Sequence, residues 1–161
     1  MKAMSNYPKS LMTKLKLTLN KMKKILVLCT GNSCRSQMAH GYLEFFAKSR
    51  LKIYSAGIEV HGVNQTAIEI MKEDNIDISN YSSNHVDEYL SIDFDFIITV
   101  CDHANESCPL FDVKRAIKIH KNFFDPSKSD HKSNLFVENF RIVRDDIKKY
   151  CKDFIDEIVK S

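Results

Sequence analysis

The sequence predicts one α/β domain of three layers, a four-stranded parallel sheet flanked by helices. Two observations carry this prediction. From Lys24 onward, short apolar runs alternate with segments of helical periodicity; such alternation builds right-handed βαβ units and a parallel sheet covered on both faces. In addition, Cys29, Cys101 and Asp125 each fall at or just after the end of a predicted strand. That places all three on one rim, beyond the carboxyl ends of the strands, where sheets of this kind bind ligands.

Taken in order, Ile25–Cys29 reads as a buried strand. Met38, Tyr42, Phe45 and Phe46 recur at helical spacing and predict a helix over Ser36–Ser49. Lys52–Ala56 is a second strand, ended by Gly57. Asn64 can cap a helix reaching about Asp74, with Ala67, Ile68 and Met71 inward. Phe94–Val100 and Ala116–His120 supply the third and fourth strands. Phe136, Phe140, Val143, Ile147, Cys151, Phe154 and Ile158 step by three or four along a long last helix. No repeat or internal linker interrupts the pattern.

A chain of 161 residues with 43% hydrophobic content suits a single core. No apolar run is long enough to span a membrane. Residues 1–21 hold five lysines and no acid, so the net charge of +3 becomes −2 over residues 22–161. A slightly acidic body does not suit nucleic acid, which needs basic charge on the folded domain. Met22 reads as a natural start, and residues 1–21 as a basic, disordered extension. The alternative for that stretch is a weak amphipathic surface-binding segment through Leu11, Leu15 and Leu19. Five cysteines without a secretion signal point to a reducing, cytoplasmic compartment, where clustered thiols are catalytic or metal-binding more often than bridged.

Between the first strand and the first helix lies Cys29-Thr30-Gly31-Asn32-Ser33-Cys34-Arg35-Ser36, a cysteine, five residues and an arginine. The bare spacing is cheap, but its setting is specific. Gly31 and Asn32 tolerate left-handed conformations that turn successive N–H groups inward. Such a loop at a helix N-terminus cradles a tetrahedral oxyanion, and Arg35 can clamp two of its oxygens. The same field is expected to lower the Cys29 pKa and make it a nucleophile, with Ser36 close enough to hydrogen-bond the sulfur. A buried structural cysteine in a turn is the bland alternative. Cys34 reads as a loop-filling side chain and Cys151 as core. Asp125-Pro126 suits a general acid over the loop, or an ordinary turn. The six histidines show no spacing that suggests a triad or metal site.

The segment Val27-Leu28-Cys29-Thr30-Gly31-Asn32-Ser33-Cys34-Arg35-Ser36-Gln37-Met38-Ala39 resembles that of thioredoxin-coupled arsenate reductases, which share the low-molecular-weight phosphatase fold. The resemblance continues through Tyr54–Glu59, His61-Gly62, Ile76–Asn80 and Thr99-Val100-Cys101 and covers Met22–Ser161. Related tyrosine phosphatases usually place proline at Gln37, and aromatic residues where Ser127 and Lys128 stand. The resemblance implies arsenate as substrate and thioredoxin as electron donor, with no bound cofactor. It also implies a relay in which Cys29 attacks arsenate while Asp125 protonates the departing oxygen. Cys101 then attacks Cys29, and Cys108 attacks Cys101. The alternative is a low-molecular-weight phosphatase working through a Cys29 phosphoenzyme, with the extra cysteines protecting against oxidation. A zinc site of Cys29, Cys34, Cys101 and Cys108 is a third reading, though its intervals exceed typical zinc spacing. Several members bind potassium beside the loop asparagine; Asn32 and Ser55 fit that site, but His40 and Asn84 stand where carboxylates are expected. Potassium dependence is therefore doubtful, and His40 either takes over part of the cation's role or faces solvent.

Overall fold

The computed structural model describes residues 22–107 and 116–159. The N-terminal extension and Cys108 lie outside the described residues. Four parallel strands form one sheet: β1 (Lys23–Cys29), β2 (Leu51–Gly57), β3 (Phe96–Thr99) and β4 (Ile117–His120), in the order β2-β1-β3-β4. The helices are α1 (Arg35–Ala47), α2 (Gln65–Glu73), α3 (Asp102–Glu106) and α4 (Phe136–Val159). Short 3-10 turns occupy Val86–Tyr89 and Pro126–Lys128.

Each strand's burial follows from its place in the sheet. Ile25 through Cys29 in β1 and all of β3 are buried, because neighbouring strands and helices cover them. At the edge, β4 alternates half-buried Ile117 and Ile119 with exposed Lys118 and His120, the pattern of a strand with one solvated face. The third strand is shorter than the sequence suggests. Phe94 is buried but precedes the ladder, and Asp95 instead joins Lys24 at both backbone and side chain.

Helix α1 lies against β1, β2 and α4. Its buried stripe runs through Met38, Ala39, Tyr42 and Leu43, and Phe45 is 56% exposed. Phe45 satisfies the three-residue step from Tyr42, yet it falls on the far side of Tyr42 from Ala39 and Leu43. Asn64 caps α2 as the sequence predicts, its side chain accepting from Ala67 N at 3.1 Å. Helix α4 is tied to the end of α2: Arg144 Nη1 donates to Ile70 O at 3.0 Å and to Glu73 at 2.9 Å, and Lys148 pairs with Asp74 at 2.8 Å.

Chain order places the site. The chain leaves β1 for β2 on one side and later returns to β3 on the other. The crevice between β1 and β3 is thus a topological switch point, open beyond the strand ends. Cys29 closes β1, and Cys101 follows β3 after Val100.

Gly57, at the end of β2, meets the loop after β1 at a distance that excludes a side chain. A Cβ there would run into Glu59 O and lie 2.7 Å from Thr30 O and 2.8 Å from Asn32 N, all backbone atoms. Gly57→Ala should therefore cost about 1–3 kcal/mol of stability, the range for overpacking, read from denaturant unfolding. It should also weaken inorganic phosphate binding. A variant unchanged in both would show that the loop does not rest on this strand end.

Candidate active site

Residues 29–34 are held by their carbonyls. Cys29 O accepts from Ile58 N, Thr30 O from Glu59 N, Gly31 O from His61 N, Ser33 O from Asn64 N and Cys34 O from Met38 N, at 2.8 to 3.3 Å. Asn32 O accepts from Gln37 Nε2 at 2.9 Å, and the Ser83 hydroxyl donates to Gly31 O at 3.1 Å. With every carbonyl committed outward, the N–H groups are left for the centre. Among the described residues none takes the N–H of Asn32, Ser33 or Cys34. A ring of such donors at the start of α1 is an anion site.

Asn32 alone makes the left-handed step, at φ 45°, and it is fully buried. Its Nδ2 donates to Ser36 Oγ at 2.9 Å and its Oδ1 accepts from Asn84 N at 2.9 Å. Gly31, expected to share that conformation, does not adopt it. Glycine is needed there for space, since a Cβ would press on the His61 ring, 2.8 Å from Cγ. Ser36, expected against the Cys29 sulfur, is the acceptor for Asn32.

Arg35 is buried under the loop. Its Nη1 donates to Phe123 O at 3.1 Å and its Nη2 to Asp125 Oδ2 at 2.8 Å, while Nε is buried with no partner among the described residues. An orphaned guanidinium N–H fits an oxyanion oxygen, which would satisfy it. Asp125 also caps the turn after it, Oδ1 accepting from Ser127 N at 3.1 Å and Ser127 Oγ at 2.7 Å. The turn reading of Asp125-Pro126 is what the structure shows, with the same carboxylate held at the loop by Arg35. A cleft of about 420 Å³ joins Cys29, Arg35 and Asp125 to His61, His103 and Lys128. The last three were not found from the sequence, although His103 stands two residues from Cys101.

Cys29 and Cys101 are both buried and unbridged, and each thiol perturbs the other. The Cys101 sulfur accepts from Cys29, from the Thr30 hydroxyl and from Ala104 N–H near the Arg35 charge, and these pull it down to about 5 against the effect of burial. Donation to Cys101 and then burial push Cys29 well above the ordinary thiol value, with Arg35 and the Gly31 N–H opposing. The expectation of a low-pKa Cys29 is not met in this arrangement: its thiol is raised, the Cys101 thiol is lowered, and the pair favours a single negative charge. Cys34 is raised to about 12, by burial and then by the Asp125 charge, consistent with a loop-filling thiol. Cys151 is fully buried under α1, its thiol toward Ala39 O at 3.7 Å.

Behind the loop, His40, Ser55 and Asn84 line a second cavity of about 300 Å³. His40 does not face solvent; its side chain is 16% exposed, with Nδ1 3.0 Å from Ser55 Oγ and Nε2 3.3 Å from Glu44 Oε1. Asn84 Nδ2 donates to Glu88 at 2.9 Å, and its Oδ1 accepts from Ser82 Oγ at 2.8 Å. Among the described residues, no group of three or more His, Cys, Asp or Glu is placed to hold a metal ion.

Comparison with known proteins agrees with this geometry. The family model for low molecular weight phosphotyrosine protein phosphatase matches residues 24–161. The chain is 43% identical over 134 residues to an arsenate reductase of Halalkalibacterium halodurans, covering 83% of this chain and 96% of that one. It is 41% identical over 136 residues to an arsenate reductase of Bacillus subtilis, covering 83% and 96%. A solved arsenate reductase in the phosphate binding state superposes with a TM-score of 0.73 at 32% identity, covering 85% of this chain and 99% of that one. The chain belongs to the low molecular weight phosphotyrosine protein phosphatase family, beside relatives named arsenate reductases.

Proposed function

We infer that this protein reduces arsenate to arsenite through Cys29, Cys101 and Cys108, with thioredoxin as the electron donor. The observation that supports this best is a second buried, unbridged thiol, Cys101, at the anion loop, 3.3 Å from Thr30 Oγ1. Hydrolysing a phosphoenzyme needs Cys29 and water. A second sulfur beside the first is what a two-electron reduction uses.

The steps are those that the family resemblance implies. The loop N–H groups and Arg35 hold the oxyanion, and the Cys29 thiolate attacks arsenic as Asp125 gives a proton to the departing oxygen. Cys101 attacks the Cys29 sulfur; the S–S bond forms, the S–As bond breaks, and its electron pair stays on arsenic as arsenite. Cys108 then attacks Cys101, frees Cys29, and leaves a Cys101–Cys108 disulfide for thioredoxin. A cytoplasmic setting suits thiols that must be returned to the reduced state. Asn84 stiffens the loop asparagine through its backbone N–H on Asn32 Oδ1, and His40, against Ser55, takes over part of the cation's role without potassium.

Three outcomes are expected. Turnover with arsenate, thioredoxin, thioredoxin reductase and NADPH should be robust, and Cys29→Ser should abolish it together with any phosphatase side activity. Either activity kept above about a hundredth of the parent rate would remove Cys29 from this role. Cys108→Ser should release about one arsenite per enzyme and stop with a Cys29–Cys101 bridge, found by peptide mass mapping. Multiple turnovers in that variant would contradict the relay. Replacing potassium by sodium at constant ionic strength should change turnover less than about twofold, whereas His40→Glu with Asn84→Asp should create potassium dependence. Strong potassium activation of the unaltered enzyme would refute the role given to His40.

A further inference from the structure

We propose that His103 accepts the proton that Cys101 loses when it attacks Cys29, with the Thr30 hydroxyl passing that proton along. The proposal rests on the relay reading above and adds to it a route for the proton.

Cys29 and Cys101 act as nucleophiles in turn, and each must be a thiolate when it attacks. A proton held on Cys101 while Cys29 attacks has to leave before Cys101 does, and Cys101 is buried. A hydrogen-bonded chain leads out from it. Thr30 Oγ1 lies 3.3 Å from Cys101 Sγ and 3.3 Å from His103 Nδ1. A hydroxyl can accept one proton while donating another, so Thr30 carries charge only in passing. His103 is exposed and lines the cleft, which opens the far end of the chain to solvent.

Among the described residues, neither neighbouring carboxylate is hydrogen-bonded to Cys101 or Thr30. Asp102 is held by His120 Nε2 at 2.9 Å and Asn122 Nδ2 at 2.8 Å. Asp125, the acid of the first step, accepts from Arg35 and Ser127. His103 also sits on α3 itself, two residues beyond Cys101. The step balances. Cys101 gives its proton to Thr30, and Thr30 gives its own to His103 Nδ1. The Cys29–Cys101 bond forms, and the S–As electron pair remains on arsenic.

The test is a single turnover. Reduced full-length enzyme is mixed anaerobically with arsenate without thioredoxin, then quenched for arsenite and for the Cys29–Cys101 disulfide. In His103→Ala the rate of both should fall on the order of a hundredfold, with the half-saturating arsenate concentration changed less than about twofold. Added imidazole should restore about tenfold or more of that loss, which a merely structural role would not allow. Thr30→Val should slow the same step, and Thr30→Ser should keep it. A His103→Ala or Thr30→Val rate within about threefold of the parent enzyme, or a loss in His103→Ala that imidazole leaves untouched, would overturn the proposal. Arsenite released by the parent enzyme without the Cys29–Cys101 bridge would instead remove the relay beneath it.

Discussion

The site depends on one constraint, the outward commitment of the backbone carbonyls from Cys29 to Cys34. A segment of six peptide groups cannot present its N–H groups to a common centre unless its carbonyls are satisfied elsewhere. Here the segment after β2 supplies Ile58, Glu59, His61 and Asn64 as donors, while Gln37, Met38 and Ser83 supply the rest. This arrangement requires β2 to end against the loop with no side chain between them, and Gly57 meets that requirement. The network behind the loop serves the same end. Asn84 and Ser36 fix the Asn32 side chain, and Gln37 bridges Asn32 O to Ser82 O at 3.0 Å. The donors are therefore set before any anion arrives, which is the condition for strong electrostatic stabilisation.

Once the loop is set, the electrostatics of the thiols follow. A cationic guanidinium beside two buried sulfurs favours one negative charge, but not two, because the second would face the first in a poorly solvated place. The donors differ between the sulfurs. Cys101 receives Thr30, Ala104 N–H and Cys29, whereas Cys29 keeps Gly31 N–H and Arg35. Proton position then decides which sulfur is the nucleophile. The family frame supports a thiol working alone on phosphate esters; the contact with Cys101 is what makes a reductive use of the same loop chemically accessible.

Much of this was legible in the sequence because the signals are local. Strand and helix alternation, the Asn64 cap and the long stripe of α4 are periodicities and short-range hydrogen bonds, and they survive in the structure with boundaries moved by one or two residues. Phe45 shows where periodicity stops being sufficient. Its step of three from Tyr42 is helical, but the direction of the buried stripe is set by β1, β2 and α4, which the local pattern does not contain. Gly31 shows the same limit. A glycine in a turn suggests an unusual φ, but the left-handed step falls on Asn32, whose side chain is held by Ser36 and Asn84.

The sequence by itself determined the order of elements, the anion loop with Cys29 and Arg35, and the placement of Cys101 and Asp125 at strand ends, because each is a pattern within a dozen residues. Tertiary structure alone decided how these parts act on one another. It put Asp125 on Arg35, brought Cys101 and Cys29 close enough to perturb each other, aimed His103 at Thr30, and set His40 against Ser55 and Glu44. Those contacts join residues brought together by the sheet crossovers and by the turn of α1. Their energies depend on distance, burial and neighbouring charge, quantities that exist only once the chain has folded.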